Sequence, residues 1–319
     1  MITLEFVYLL TGLMVGGVAL VNLFDSSNPK RFNNALFWGI YAVTFLFGSH
    51  LPNLASGILV IVMVLVASLG GLGQGRSSTT SAEERQASAR RWGNRLFVPA
   101  LIIPAVTLLG TVLLKNARVS GVPVVDPKQA TLVFLAVAAV TALAAGMVML
   151  RPPLPAPIRE ARRLMDAVGW AAVLPQMLAS LGSLFALAGV GRIVSDLAIR
   201  WIPLDSALAA VATYTVGMAL FTMLMGNAFA AFPVMTAGIG LPLIVHRLGG
   251  NPNIMSAIGM LSGFCGTLMT PMAANFNIVP AALLELPDEN AVIKAQIPTA
   301  VLLLITNTVL MYTLVFRYR

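Results

Sequence analysis

The sequence predicts an all-α polytopic membrane protein, and three observations support this fold class. Of the 319 residues, 58% are hydrophobic and only 10% are charged, whereas a soluble domain carries roughly a quarter charged residues. The mean hydropathy is +0.88. The apolar residues collect in runs close to the ~20 residues that a membrane-spanning helix needs, so we expect about eight to ten transmembrane helices, with re-entrant or broken helices in the C-terminal half.

The first half contains five apolar runs, at residues 2–23, 34–50, 54–73, 96–114 and 129–150. The first run has no basic segment before it and no small-residue cleavage site, so we interpret it as a retained transmembrane helix and not as a signal peptide. We therefore expect residues 1–150 to form an N-terminal five-helix membrane region.

The net charge of +8 comes from basic residues that fall mainly in loops. Loop 74–95 holds five arginines against two glutamates, and loop 151–166 holds four arginines and four prolines. By the positive-inside rule both loops are cytoplasmic, together with Lys30 and Arg31, and the amino terminus is outside. We interpret 151–166 as a basic, Pro-rich boundary before a C-terminal transport-site region at 167–319.

The second half divides into further apolar segments that are richer in Gly, Pro, Asn and Thr. We predict a helix at 169–190, a short amphipathic piece at 191–203, and helices at 206–225, 232–245, 254–270, 278–286 and 297–316. Between residues 206 and 284 the only charged or histidine side chains are His246 and Arg247. Most of this half therefore has to function without charged side chains.

Several classes of function are disfavoured by what the sequence lacks. Cys265 is the single cysteine, and His50 and His246 are the only histidines, too few for a zinc or haem centre. No Walker loop, dinucleotide fingerprint or hydrolase motif is present. We expect neither an enzyme nor an organic cofactor, and a sodium ion is the one small cofactor that the polar residues suit.

Two uncharged polar breaks interrupt the apolar helices of the second half: "MGNAFAAFP" at 225–233 and "GTLMTPMAANFN" at 266–277. Non-helical backbone at membrane depth is tolerated only where it is buried in protein or lines a water-filled cavity. Secondary transporters place substrate and ion sites at such breaks, where helix amino termini face anions and freed carbonyls coordinate cations. Pro271 removes an amide donor and is expected to free a carbonyl near Thr267.

The candidate substrate-binding or ion-binding residues are those that supply oxygens, amides or backbone freedom at the two breaks. They are Gly226, Asn227, Ala228, Thr267, Thr270, Pro271, Asn275 and Asn277. For any one of them, helix packing is the commoner role, since Gly, Pro, Ser and Thr are frequent in transmembrane helices. Two Asn-bearing breaks in one charge-free half favour a ligand or ion site. Pro175 and Gln176 are either a third break or a proline kink.

The motifs "GNAFAAFPVMTAGIGLPLIV" and "GFCGTLMTPMAANFNIVPAALLEL" resemble those of a bacterial membrane family of unknown function that is described as one subunit of an oxoproline (pyroglutamate) transporter. The resemblance extends from the opening "EFVYLLTGL" to the final helix. It implies a multi-pass protein of the bacterial inner membrane that takes up oxoproline with a second, smaller membrane subunit.

A more distant likeness is to the ion transporter superfamily, which includes sodium-coupled dicarboxylate carriers. In that superfamily a re-entrant hairpin carries a Ser-Asn-Thr signature, and a later helix is broken near a Gly-Thr-Pro-Pro-Asn sequence. Gly226, Asn227 and Ala228 fall at the first signature, and Thr270 and Pro271, with Asn275 and Asn277, fall near the second. Only the asparagine of the first signature is kept, and the spacing after Pro271 is longer. If the likeness holds, an opposing repeat comes from a partner chain or a second copy, and an elevator-like motion is implied.

These observations leave three functions in order of preference. The first is a subunit of a secondary active transporter for a small carboxylate, with 5-oxoproline implied by the resemblance and with sodium preferred over protons for coupling. The second is a non-transporting membrane scaffold that assembles or stabilises a partner membrane protein. The third is a membrane-embedded enzyme, for which the chain offers no nucleophile, base or metal set.

Overall fold

A computed structural model describes residues 2–75, 81–119, 121–201, 206–284 and 286–317. The chain forms two compact units, Met1–Asp166 and Ala167–Arg319. The α-helices of the first unit are α1 Leu4–Leu23, α2 Arg31–Phe47, α3 Asn53–Leu65, α4 Ala82–Trp92, α5 Phe97–Leu109, α6 Ala130–Leu150 and α7 Ala156–Val168. Those of the second unit are α8 Leu174–Leu187, α9 Val190–Trp201, α10 Ala207–Met225, α11 Ala228–Met235, α12 Pro252–Thr267, α13 Ile278–Leu283 and α14 Ala291–Leu314.

Seven helices among the described residues are long and apolar enough to cross a membrane, which confirms the all-α polytopic fold class. They are Leu4–Leu23, Asn53–Gly70, Glu83–Leu114, Ala130–Leu150, Ala207–Met225, Ala228–Arg247 and Ala291–Leu314. Helices α2 and α12 are shorter, with 17 and 16 residues. Two-residue strands at Arg118–Val119 and Val122–Pro123 pair in antiparallel fashion.

Both basic segments of the first unit, predicted as loops, contain helices. Within 74–95, α4 begins at a capping box: the Ser81 hydroxyl accepts from the Glu84 amide and the Glu84 carboxylate accepts from the Ser81 amide. Within 151–166, α7 forms because its apolar and charged residues separate onto two faces. Residues 76–80 of the first loop lie outside the described residues.

Asp166, on α7, is hydrogen-bonded to the ends of α1 and α2. Its Oδ1 accepts from Trp38 Nε1 at 2.9 Å, Asn34 Nδ2 at 3.0 Å and Asn22 Nδ2 at 3.1 Å. Burial raises the pKa of Asp166, while the three donors and the nearby Arg162 guanidinium act to lower it. Because Asn22, Asn34 and Asp166 come from three helices, their contact fixes α7 against the α1–α2 pair.

One turn earlier on α7, Arg162 forms an ion pair with Asp25, which follows α1. Burial acts to raise the pKa of Asp25, but hydrogen bonds from Ser27 and the charge of Arg162 outweigh it and hold that pKa below its ordinary value. Both side chains are nearly buried, with 11% and 12% of their surface exposed. This pair therefore adds a second attachment between α7 and the α1–α2 connection.

The segment after α3 packs on the same cluster. Gly73 accepts hydrogen bonds at its carbonyl from Asn28 and Asn34, at 3.0 and 2.7 Å, and donates its amide to Asn34 Oδ1 at 2.9 Å. Gly71 accepts from Asn33 at 3.1 Å. The 25–34 connection, the start of the first basic loop and α7 thus lie together.

The second unit is built around α10, α12, α14 and the helix that continues α11. Its core is made of large apolar side chains from these helices: Val211, Tyr214, Met218, Met235, Ile239, Leu243, Ile244, Met255, Met311 and Val315. Glycines allow the close approach, since a side chain on Gly259 would meet the Tyr214 hydroxyl and one on Gly266 would meet the Ala219 carbonyl. Packing by small residues is the usual way that helices associate in lipid.

Three predicted segments of this unit are built differently from expectation. Residues 169–190 do not form one helix: a 3-10 turn at Gly169–Ala172 precedes α8, and Gly189 (φ 71°) separates α8 from α9. The predicted 278–286 helix is limited to α13. The predicted 232–245 helix begins within α11 and continues as a π-helix, Thr236–Arg247. Residues 202–205, at the end of the predicted amphipathic piece, lie outside the described residues.

Candidate functional site

The first predicted break is a two-residue turn between antiparallel helices. Helix α10 ends at Met225, Gly226 takes a left-handed conformation (φ 68°), and its amide donates to the Thr222 carbonyl at 2.7 Å. Asn227 then caps α11, with its Oδ1 accepting from the Phe229 amide at 2.8 Å. Glycine is favoured at the turn because a side chain is strained at positive φ.

The non-helical part of the second break, residues 268–277, is stabilised by hydrogen bonds of Asn277 and Thr270. Asn277 Nδ2 donates to the carbonyl oxygens of Thr267 at 2.9 Å and Thr270 at 2.6 Å. The Thr270 hydroxyl donates to the Met223 carbonyl at 2.9 Å and accepts from the Met272 amide at 3.2 Å. Thr270 therefore attaches the second break to the last turn of α10.

The two breaks are in direct contact. A Cβ added to Gly226 would lie 2.5 Å from the carbonyl oxygen of Met272, so the two backbones touch there. On the adjoining surface, the ring of Phe264 packs edge-on against Phe229 at 5.8 Å and lies 6.4 Å from the ring of Phe276. Residues far apart in sequence thus form one site.

Helix directions show that the breaks lie at the same level of the unit. Tyr214 and Ala219 of α10 face Gly259 and Gly266 of α12, in the same order, so these helices run in parallel. Helix α14 runs antiparallel to α12: the Asn251 amide, just before α12, donates to the Val315 carbonyl at 2.8 Å, and Asn307 Nδ2 lies 3.6 Å from Cys265 Sγ.

Helix α14 gives the depth of the breaks, because its 24 residues are about 36 Å long at ~1.5 Å per residue, somewhat more than the ~30 Å hydrocarbon core. The hydroxyls of Thr215 and Thr308 are 2.8 Å apart. From Thr215, α10 runs about 15 Å further to its last residue, Met225. In the same direction, α14 runs about 25 Å from Thr308 back to its first residue, Ala291. The Gly226 turn therefore lies about 10 Å inside the end of α14.

Two buried oxygen atoms at this site have no hydrogen-bond partner among the described residues: Asn277 Oδ1 and Thr222 Oγ1. Both residues have no exposed surface. The orientation of the Asn277 amide follows from its contacts, because Nδ2 faces two carbonyl oxygens and Oδ1 would be repelled there. A buried acceptor without a donor costs ~1–3 kcal/mol.

Thr222 differs from other hydroxyls in the same bundle. Thr213, Thr215 and Ser262 each donate to the carbonyl four residues earlier, at 2.7 to 3.1 Å, which is the usual behaviour of a helical hydroxyl. Thr222 makes no such bond and faces Gly263, whose added Cβ would be 3.3 Å from its hydroxyl. Both unpaired oxygens belong to residues that contact the last turns of α12.

The predicted site residues are therefore brought together, in roles that differ. Thr267, Thr270 and Asn277 are buried, and so are Gly226 and Ala228. The Thr267 carbonyl, expected to be free, is occupied by the Asn277 amide because the loop folds back on the end of α12. Of the remaining three predicted residues, Asn227 is half-buried and caps α11, whereas Pro271 and Asn275 are exposed.

Thr222 was not predicted as a site residue. Its one signal in the sequence is its position four residues before the Gly226 turn. The site as a whole offers hydroxyl, amide and carbonyl oxygens, and no group of three His, Cys, Asp or Glu that suits a metal ion occurs in the described part of the chain. Uncharged oxygens of this kind suit a hard cation of low charge.

Comparison with known proteins gives one structural likeness, and no curated protein matches the chain. MtrF of Neisseria gonorrhoeae, whose structure is described as illuminating "a Class of Antimetabolite Efflux Pumps", is 14% identical. Its likeness covers 98% of this chain and 74% of the MtrF chain with a TM-score of 0.36. A likeness of that size carries no argument about fold or function.

A family model gives the firmer result, because it matches nearly the whole chain and includes both breaks. The match runs over residues 5–316. The chain therefore belongs to the family described as "Protein of unknown function (DUF979)".

Proposed function

We propose that the chain is a subunit of a secondary active transporter that takes up a small carboxylate by coupling to a cation, with sodium as the coupling ion and 5-oxoproline as the first substrate to test. The observation that carries the proposal is the meeting of two helix breaks inside the depth of α14, with two buried oxygens left unpaired. Membrane proteins tolerate such backbone where it is buried or lines a cavity, and transporters use it for binding.

The cation is the ligand that the unpaired oxygens favour. Asn277 Oδ1 and Thr222 Oγ1 are acceptors that have lost water without gaining a donor, and a bound sodium ion would supply the missing partner. Between residues 206 and 284 the only charged or histidine side chains are His246 and Arg247, so that stretch contains no carboxylate to carry a proton. The breaks therefore support sodium over proton coupling.

A reconstitution experiment tests the proposal. The chain is placed in liposomes alone, and together with a candidate for the second, smaller membrane subunit that the family resemblance implies, and uptake of labelled 5-oxoproline is measured with sodium or with choline at fixed pH. We expect accumulation that needs sodium and both proteins. Sodium-independent uptake driven by a pH gradient would refute the coupling, and a lack of uptake under all conditions would favour the scaffold function.

Matched variants locate the ion. Thr222→Val removes the unpaired hydroxyl while keeping the shape of the side chain, and Thr213→Val removes a hydroxyl of the same helix that is already bonded to the Ala209 carbonyl. We expect Thr222→Val to raise the sodium concentration for half-maximal uptake by roughly tenfold, as the loss of one ligand of ~1.4 kcal/mol would do. Thr213→Val should leave it unchanged; equal effects would contradict the assignment.

A further inference from the structure

The ends of α1 and α2 form a pocket lined with N–H donors. Trp38 Nε1, Asn34 Nδ2 and Asn22 Nδ2 all point at one atom, Asp166 Oδ1, at 2.9 to 3.1 Å. Asn22, Asn34 and Trp38 have no exposed surface. Three buried donors converging on one oxygen recognise an anion better than a neutral group, because hydrogen bonds to a charged acceptor are the stronger ones.

Of the three donors, Trp38 depends most on the Asp166 carboxylate as its acceptor. The indole N–H is a donor only, and Asp166 is its hydrogen-bond partner. The two asparagine amides have alternatives, since Asn34 also donates to the Gly73 carbonyl at 2.7 Å and Asn22 to the Val18 carbonyl at 3.3 Å. Removing the carboxylate would therefore take away the acceptor that the buried indole N–H uses.

Of the two acids near the pocket, Asp25 is paired with Arg162, which leaves Asp166 as the anion at the three donors. Arg162 lies one turn before Asp166 on α7, and its Nη1 is paired with Asp25, which also accepts from the Ser27 amide and hydroxyl. The neighbouring acid is thus neutralised within its own pair. Arg162 Nε is buried and has no hydrogen-bond partner among the described residues, and the charge of Arg162 favours the ionised form of Asp166.

We propose that the paired ends of α1 and α2 are a receptor for a single small carboxylate, and that Asp166 occupies it and so latches α7 to the first unit. The latch is independent of the proposed transport function. The same pocket should accept a free carboxylate of similar size, such as formate, once the Asp166 side chain is shortened.

The test uses Asp166→Ala in the full chain, purified in nanodiscs and kept in chloride buffers without carboxylates. Hydrogen exchange of the α7 amides is measured by mass spectrometry. Loss of a charge-assisted hydrogen-bond set should speed exchange in 156–168 by roughly 10- to 100-fold. Sodium formate should restore slow exchange, whereas sodium chloride at equal ionic strength should not. Glu160→Ala, on the exposed face of the same helix, is the control and should respond to neither salt.

Trp38 reports on the pocket directly. With the other three tryptophans, Trp92, Trp170 and Trp201, replaced by phenylalanine, its emission should shift saturably with formate in the Asp166→Ala background. Emission should not respond when Asp166 is present, because the pocket is filled. Rescue of exchange without a Trp38 response would mean that formate binds elsewhere and would overturn the proposal.

A second variant keeps the proposal testable if Asp166→Ala cannot be purified. Asp166→Asn can keep an acceptor oxygen at the position of Oδ1, where the three donors converge, but it carries no charge, so α7 exchange should be faster than in the wild type. Exchange equal to the wild type would show that the negative charge is not recognised. A folded Asp166→Ala protein that formate leaves unchanged would likewise refute the receptor.

Discussion

Gly226 is the residue on which the contact between the two breaks depends. Its left-handed backbone (φ 68°) and its contact with the Met272 carbonyl both exclude a side chain. We expect Gly226→Ala to lower the free energy of unfolding by about 3 kcal/mol, from backbone strain plus the displaced carbonyl. Steric-trapping measurements in micelles would check this value.

Gly57→Ala is the matched control for that prediction. Gly57 lies within α3, and a side chain there would meet no atom within 4 Å. Replacing a helical glycine at an open position should leave stability unchanged or raise it by ~0.5 kcal/mol. A Gly226→Ala protein as stable as Gly57→Ala would mean that the turn tolerates other conformations.

The asparagines at the breaks should be required for transport. We expect Asn227→Ala and Asn275→Ala to abolish uptake while membrane insertion is retained, with Ser88→Ala on α4 as a control at equal expression. Because Asn227 caps α11, Asn227→Ser should recover part of the activity, since serine is also a good cap. Wild-type uptake in both alanine variants would remove these residues from the site.

The residue types at the site were predictable, but the pairing between them was not. Asn and Thr beside Gly and Pro stand out in an apolar sequence, and this pattern predicts Asn277 and Thr270 as site residues. Which atom of Asn277 is bonded depends on two carbonyls that come together only when the loop folds. Thr222 has an ordinary helical context, so its unpaired hydroxyl had no signature in the sequence.

At the scale of elements, the attachment of α7 should depend on pH through Asp25. Its pKa is lowered from 3.8 in the folded chain, so its stabilising contribution is present above pH 3.8 and is lost as the pH falls through the lowered pKa. Asp25→Asn should cost about 3 kcal/mol at neutral pH because Arg162 loses its buried partner.

The measurement is the hydrogen exchange of α7 as a function of pH in wild type and Asp25→Asn. The difference between the two should be constant at neutral pH and should disappear in strong acid. A difference that grows in acid would contradict the assignment to Asp25.

Helix positions were predicted better than helix types. Apolar runs located α1, α5 and α6 within a few residues, because length and hydropathy determine a membrane span. The π-helix Thr236–Arg247 was missed, since its register is set by contacts such as the backbone approach of Gly238 to Gly191. Helix α7 was missed because prolines at its start look like a loop, although proline is tolerated in a first turn.

For the whole molecule, the arginine distribution predicts the orientation. Cysteines introduced in 74–95 and 151–166 should be protected from an impermeant reagent applied outside intact cells, whereas a cysteine near Asp288 should react. The background is Cys265→Ala, which removes the single native thiol, a buried one. The reverse labelling pattern would invert the topology.

The position of the Gly226 turn along α14 has an electrical consequence. A cation that enters from the amino-terminal end of α14 and stops about 10 Å inside a ~36 Å helix has crossed roughly a third of the membrane potential. At ~2.3 kcal/mol per charge per 100 mV, that fraction is worth ~0.7 kcal/mol. With the cell interior negative and that end outside, each 100 mV of hyperpolarisation would tighten sodium binding about threefold, so the membrane voltage would help to load the site before any substrate moves.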